Sequence, residues 1–248
     1  MTRTALVTGA AAGIGRACAR RLAREGHRIG VLDLDRAAAQ TVVDEIEGEG
    51  GKALALGASI ADRPAIERAA GELRAAFGPI TILVNNAGIS TFVKFHELTD
   101  EQWDQMFEIN TKGTFIVTQV VLPDMRAARW GRIVNISSSS AQTGSPLQVH
   151  YSASKGAVIA MTRSLAAALG PSGITVNNIP PGSVMQTVMS EATKSEWPIS
   201  EDQIKQAIPV RRTGIPDDIA SACAWLCQED AGYVTGQTIG VNGGRVPS

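Results

Sequence analysis

The sequence predicts a doubly wound α/β fold: a seven-stranded parallel sheet with helices on both faces, formed as a single domain over residues 1–248. Three observations carry that expectation. Short runs of aliphatic and β-branched residues alternate with longer segments of helical period along the whole chain. Ile80-Thr81-Ile82-Leu83-Val84 is apolar at nearly every position, as a strand buried on both faces requires. No Pro-, Gly- or Ser-rich linker divides the 248 residues, a length that one domain commonly reaches.

The first strand is expected at Thr4 to Thr8, followed by a glycine turn and a helix from about Ile14 to Glu25. Arg28 to Asp33 leads to a helix near Arg36 to Glu47, and Ala53 to Gly57 to a helix near Pro64 to Phe77. After the Ile80 to Val84 strand, one long helix is expected from about Asp100 to Arg126. Then come Arg132 to Ile136, a helix from about Tyr151 to Leu169, and Ile174 to Ile179, with Gly170-Pro171-Ser172-Gly173 stopping the helix between them. A last helix, Pro216 to Gln228, has its proline where no amide hydrogen is needed, and Gln237 to Val241 forms the seventh strand. Ligands of such sheets bind beyond the carboxyl ends of the strands, at the topological switch point. Residues from about 183 to 208 lose strand character and predict a partly helical substrate lid.

Twenty-three Lys and Arg against 24 Asp and Glu give a formal net charge of −1, with no block of like charge. That argues against nucleic acid or an anionic membrane as a partner. Cys18, Cys223 and Cys227 form no CxxC, and His27, His96 and His150 form no HxxxH, so no metal site and no disulfide framework are expected. Glycines interrupt the apolar stretch after Met1, and no run reaches 18 apolar residues, so neither a signal peptide nor a membrane span is expected. The setting this implies is cytoplasmic.

The first βα turn reads Thr8-Gly9-Ala10-Ala11-Ala12-Gly13-Ile14-Gly15. Glycines there let the backbone approach a pyrophosphate, and the following helix offers free N–H groups and a positive dipole end. The plain alternative is tight packing alone. Asp33 ends the second strand, where a carboxylate accepts bonds from an adenosine ribose and repels a 2′-phosphate, which favours NAD over NADP. Its plain alternative is a helix N-cap. No Arg or Lys lies between Gly9 and Gly15, but Arg16 follows directly.

Tyr151 and Lys155 stand four apart at the start of a helix, on one face. Bringing a phenol from about 10 toward neutrality costs roughly 4 kcal/mol. A cation about 4 Å away at an effective dielectric near 20 supplies about that much, so Lys155, helped by the positive charge of an oxidised nicotinamide, is expected to turn Tyr151 into a proton-transfer group. Ser137-Ser138-Ser139-Ser140 ends the fifth strand and puts hydroxyls where a substrate oxygen needs a second partner; the run itself does not say which serine acts.

With these motifs the chain resembles the short-chain dehydrogenase/reductase family, a Rossmann-type fold, over essentially its whole length. Thr8 to Gly15 is similar to that family's TGxxxGxG, Asn85-Asn86-Ala87-Gly88 to its NNAG, and Tyr151 to Lys155 to its YxxxK. The family's serine lies 13 positions before the tyrosine, which selects Ser138, and its helix asparagine matches Asn110. The resemblance implies a tetrad in which Ser138 binds the substrate oxygen and Tyr151 exchanges the proton, while Lys155 holds the nicotinamide ribose and Asn110 positions a relay water. For the cofactor it implies Gly9, Ala12, Gly13, Ile14 and Gly15 in the turn, Asp33 and Leu34 after the second strand, and Ser59 and Ile60 after the third. Asn86, Ala87 and Gly88 follow the fourth strand, Tyr151 and Lys155 contribute again, and Pro181, Gly182 and Val184 lie by the nicotinamide. Three positions depart from the pattern: Ser59 stands for an Asp, Gln186 for a Thr that is found one place later as Thr187, and Pro180 stiffens the entry to the lid.

Ser140, Gln142, Leu147, His150, Met185, Val188 and Trp197, beside Val184, form the expected substrate pocket, a mainly apolar set suited to a medium-sized apolar or cyclic secondary alcohol. The leading expectation is NAD-dependent hydride transfer between such an alcohol and its ketone. The second is an NADPH-dependent 3-oxoacyl-thioester reductase, because Arg212-Thr213-Gly214-Ile215-Pro216 and Gly236-Gln237-Thr238 resemble that subfamily. A third is a non-catalytic dinucleotide-binding regulator on the same fold. The resemblance also implies a homotetramer.

Overall fold

The computed structural model describes residues 1–185, 187 and 200–246. β1 (Thr4–Thr8), α1 (Gly13–Arg24), β2 (Arg28–Asp33), α2 (Arg36–Gly48), β3 (Lys52–Gly57), α3 (Arg63–Phe77) and β4 (Ile80–Asn85) build the first half. The second half contains α4 (Asp100–Phe107), a π-turn (Glu108–Gly113), α5 (Thr114–Ala128), β5 (Gly131–Ile136), α6 (Ser140–Thr143) and α7 (Val149–Leu169). β6 (Ile174–Ile179), α8 (Glu201–Ala207) and α9 (Pro216–Leu226) complete it. All strand pairs are parallel, in the order β3-β2-β1-β4-β5-β6. Chain order reverses between β1 and β4, so the switch point opens above those two strands.

Side chains alternate across the sheet because successive Cβ atoms point to opposite faces. Val7 joins one apolar layer with Cys18 and Leu22 of α1, Val42 and Ile46 of α2, and Cys223 of α9. Leu6 joins the other with Leu73 of α3, Val121 of α5, and Ala166 and Leu169 of α7. Every residue of β4 is buried, as its near-continuous apolar run predicts.

Among the described residues the sheet has six strands, not the seven expected. The segment around Thr238 runs beside β6, with Asn178 N–H donating to Gln237 and Ile239 N–H donating to Asn178, at 2.9 and 2.8 Å. It forms only isolated bridges at Thr238 and Val241. The next donor along β6 would be residue 180, and Pro180 has no N–H. The single helix expected from Asp100 to Arg126 is also divided, into α4 and α5, by the π-turn that holds Asn110. Such turns insert a residue into the helical ladder and are frequent at functional sites.

Candidate active site

The glycine turn is held open by backbone geometry. Gly9 (φ 61°) and Gly13 (φ 53°) occupy the left-handed region that side chains avoid. A Cβ on Gly9 would lie 2.8 Å from Cα of Ala87, and one on Gly15 would strike the carbonyl oxygen of Gly9. Asn86 Nδ2 donates to the carbonyls of Thr8 and Gly9, both at 3.0 Å, and Thr8 Oγ1 accepts the amides of Asn86 and Ala87 at the same distance. These bonds clamp the end of β1 to the end of β4. α1 starts after Ala12, which supplies no side-chain cap, and its first turn carries no acidic residue. Its leading amides and positive dipole end are therefore free for an anion, and the cradle fits a pyrophosphate.

Asp33 closes the adjoining edge. Its Oδ2 accepts the Ala11 amide at 3.0 Å and its Oδ1 the Leu34 amide at 2.8 Å, which fixes the carboxylate and leaves each oxygen a further acceptor direction. Asp35, not Asp33, caps α2. Arg16 forms a two-pronged pair with Glu45 at 2.9 and 2.8 Å, so its guanidinium is drawn to α2. Ser59 turns the chain after β3, its Oγ accepting the Ala61 amide at 3.3 Å, while Leu34 is exposed and Ile60 buried.

Helical spacing brings Tyr151 and Lys155 together at the start of α7, both buried. Lys155 Nζ donates to the carbonyl of Ile136 at 3.0 Å. Ser138, two residues past β5, accepts the amide and hydroxyl of Ser140 at 3.2 and 2.9 Å. Burial raises the Tyr151 phenol above its ordinary value, partly offset by a hydrogen bond with Ser138. Burial lowers Lys155 to about 8. Burial thus favours the protonated phenol and acts against the lowering expected from Lys155 and an oxidised nicotinamide.

Asn110 Oδ1 accepts the Ile89 amide at 2.8 Å, and its Nδ2 donates to the Ile89 carbonyl and Ser154 Oγ at 3.0 and 3.1 Å. Ser154 Oγ in turn donates to the Tyr151 carbonyl at 2.8 Å. One acceptor direction on Asn110 Oδ1 remains for water. Gly88 sits between the two groups: a Cβ there would lie 2.8 Å from Asn110 Oδ1 and 3.2 Å from Lys155 Nζ.

The turn, the serine and the Tyr–Lys pair open on one cleft of about 580 Å³, to which Ile14, Asn86, Gly88, Ser138, Tyr151, Lys155, Pro181, Gly182 and Val184 contribute. Of the residues expected to meet substrate, Leu147 lines it with Val184. Ser140 is engaged with Ser138, and Gln142 is exposed on α6 outside the lining. His150 and Met185 are buried away from the lining; His150 Nε2 lies 2.8 Å from Thr91 Oγ1, and burial lowers its pKa. Val188, Trp197 and Gln186 lie outside the described residues. Thr187 also lines the cleft, 3.3 Å from where a Gly13 Cβ would stand.

Sequence reasoning missed Ser90, Phe92, Ser145, Gln148, Ile204 and Arg245. Ser90 and Phe92 had a signal, since the loop after Gly88 leaves the carboxyl end of β4, where such sheets bind ligands. The others reach the cleft through long-range folding. Two bonds strap its wall: Val93 N–H to the Leu147 carbonyl at 2.8 Å and Gln148 Nε2 to Ser90 Oγ at 2.7 Å. No group of metal-ligating side chains and no helix long and apolar enough to cross a membrane occurs among the described residues.

Doubly wound fold, glycine cradle and buried Tyr–Lys pair define a dinucleotide-binding oxidoreductase type. Residues 9–245 match the family model described as enoyl-(acyl carrier protein) reductase. The 3-oxoacyl-(acyl-carrier-protein) reductase of Staphylococcus aureus (strain N315) is 39% identical over 98% of both chains. That of Aquifex aeolicus is 39% identical, over 98% of this chain and 96% of its own. The (2S)-((R)-hydroxy(phenyl)methyl)succinyl-CoA dehydrogenase subunit BbsD of Thauera aromatica is 38% identical over 98% and 96%. The chain belongs to the short-chain dehydrogenase/reductase family and is an oxidoreductase acting on a CH–OH or keto group.

Proposed function

We propose that the protein interconverts 3-hydroxyacyl and 3-oxoacyl thioesters with NAD(H) as cofactor. The observation that carries the chemistry is the meeting of Ser138, Tyr151 and Lys155 on the cleft reached by the glycine turn. Support for the substrate class comes from relatives whose names specify acyl-carrier-protein or CoA thioesters, which favour this class over an apolar or cyclic alcohol. Support for NAD comes from the fixed Asp33 carboxylate and from Arg16 being held by Glu45. A 2′-phosphate would face that carboxylate with no free cation from the turn to offset it.

The nicotinamide, when bound, supplies or takes up the hydride. In the reducing direction Ser138 and Tyr151 hydroxyls hold the carbonyl oxygen, and Tyr151 gives it a proton as negative charge develops there. Burial favours the protonated phenol, the form that donates. Lys155, lowered to about 8, favours the phenolate left behind and would hold the nicotinamide ribose. Asn110 positions this machinery through Ile89 and Ser154 and offers its free acceptor direction to a relay water. In the oxidising direction Tyr151 takes the alcohol proton back.

The test follows near-ultraviolet absorbance of reduced nicotinamide while the protein meets 3-oxoacyl-CoA thioesters, cyclic ketones and steroid ketones, each with NADH and NADPH. Turnover is expected on the thioesters, at least tenfold better with NADH. Activity confined to cyclic or steroid ketones would overturn the substrate class, and equal turnover with NADPH the cofactor.

A further inference from the structure

Arg245 lies at the end of the described chain, yet its side chain lines the cleft. The backbone that brings it there is tightly tied. Gly182 N–H donates to the Val241 carbonyl at 3.2 Å, Asn242 Oδ1 accepts the Gly244 amide at 3.0 Å, and Asn242 Nδ2 donates to the Val246 carbonyl at 3.0 Å. Gly243 (φ 65°) and Gly244 (φ 85°) turn the chain immediately before Arg245. Arg245 Nη1 donates to Ser183 Oγ at 2.8 Å, and Ser183 follows Gly182 on the cleft wall. Its remaining N–H groups meet no carboxylate among the described residues. None of the described lining residues is Asp or Glu, and the other cation, Lys155, is buried beneath Ile136. A chain with slightly more acidic than basic residues thus keeps acids out of this wall and presents a guanidinium there.

We infer that Arg245 is a specificity residue that binds an anionic group of the substrate, a carboxylate on the acyl chain or a phosphate of the thioester carrier. The Ser183 bond fixes one edge of the guanidinium, and the Nη2 and Nε groups are left to grip two oxygens of a planar or tetrahedral anion. An anion elsewhere on the substrate is read by Arg245 while Tyr151 and Ser138 hold the carbonyl itself. The choice of acyl thioester as the carrier of that anion rests on the function proposed above; the anion site does not.

Two experiments separate the inference from that function. In the first, glutarate and the neutral glutaramide are titrated by calorimetry onto the NADH-loaded protein and its R245M and R245K variants. Glutarate is expected to bind the wild type in the millimolar range, glutaramide not detectably, and glutarate affinity should fall about tenfold or more in R245M with partial recovery in R245K. Equal glutarate binding by wild type and R245M, or no glutarate binding by the wild type, would overturn the inference whatever the enzyme turns over. A weaker NADH affinity in R245M with glutarate binding retained would instead make Arg245 a cofactor contact and overturn it equally.

In the second, kcat/KM is compared for 3-oxohexanoyl and 3-oxoadipoyl groups, each as CoA and as phosphate-free N-acetylcysteamine thioesters. A carboxylate preference of about tenfold that collapses in R245M on both carriers identifies the acyl carboxylate. A CoA preference that collapses in R245M for both acyl groups identifies the carrier phosphate. Ratios identical in wild type and R245M overturn the inference while the thioester reading stands. Absence of thioester turnover with R245M-sensitive glutarate binding overturns that reading and leaves the anion site standing.

Discussion

The two walls of the cleft are built differently. On the dinucleotide side, polar side chains bond to backbone: Asn86 to the carbonyls of Thr8 and Gly9, Asp33 to the amides of Ala11 and Leu34. On the opposite side they bond to other side chains, Gln148 to Ser90 and Arg245 to Ser183, with the buried His150–Thr91 pair behind them. A wall made by clamping the backbone accepts one ligand shape and tolerates almost no substitution. A wall joined through side chains keeps its frame while the surface facing the ligand changes, which is how one fold serves many substrates.

The sharpest way to break this contrast is at the backbone-clamped wall. Gly15→Ala places a methyl against the Gly9 carbonyl, and overpacking of that kind costs about 2 kcal/mol or more. A fall in melting temperature of roughly 5 °C, measured by calorimetry, and loss of NADH binding are expected. An alanine variant with native stability and native affinity would show that α1 has room to spare.

Asp33→Asn sharpens the same wall, keeping one side-chain acceptor but removing the charge. Relative kcat/KM for NADPH over NADH should rise about tenfold, roughly the 1.4 kcal/mol expected from relief of one partly screened repulsion. An unchanged ratio would detach cofactor choice from Asp33.

The pH profile addresses the floor between the walls. Burial holds Lys155 near 8, below its ordinary value, so its charge is lost as pH rises through about 8. Reductive kcat/KM should therefore fall above that pH, and a profile flat to pH 10 would remove Lys155 from the proton chemistry. The sign for stability is opposite. The unfolded lysine binds more protons than the folded one above pH 8, so this group makes the fold more stable as pH climbs from there toward its unfolded value.

The smallest effect is expected on the side-chain wall. Gln148→Ala removes the bond to Ser90 and should raise substrate KM about two- to fivefold while leaving NADH affinity unchanged. A comparable loss in NADH affinity would mean that the two walls are mechanically one.

The same contrast explains what could be read from the sequence. The cradle was legible because Gly9, Gly13 and Gly15 are demanded by local backbone geometry and by contacts at a fixed spacing. Tyr151 and Lys155 were legible because a helix turns four-residue spacing into one face. The other wall was not: His150 is drawn inward, away from the lining, by Thr91 59 positions away, and Arg245 reaches the cleft from the far end of the sequence. The π-turn at Asn110 follows from tertiary bonds to Ile89 and Ser154 that helical periodicity does not encode. The lost seventh strand is different, since Pro180 stands in the sequence and its missing N–H already breaks the ladder.

The central claim is that Tyr151 supplies the proton in a cleft that binds NADH by other means. The direct measurement is a stopped-flow comparison of the wild type with Tyr151→Phe, each premixed with NADH and then mixed with a 3-oxoacyl-CoA thioester. The account predicts rapid oxidation of bound NADH in the wild type and a rate at least about a thousandfold lower in the variant, with NADH affinity within a few-fold. Oxidation by Tyr151→Phe at a rate within tenfold of the wild type would contradict it.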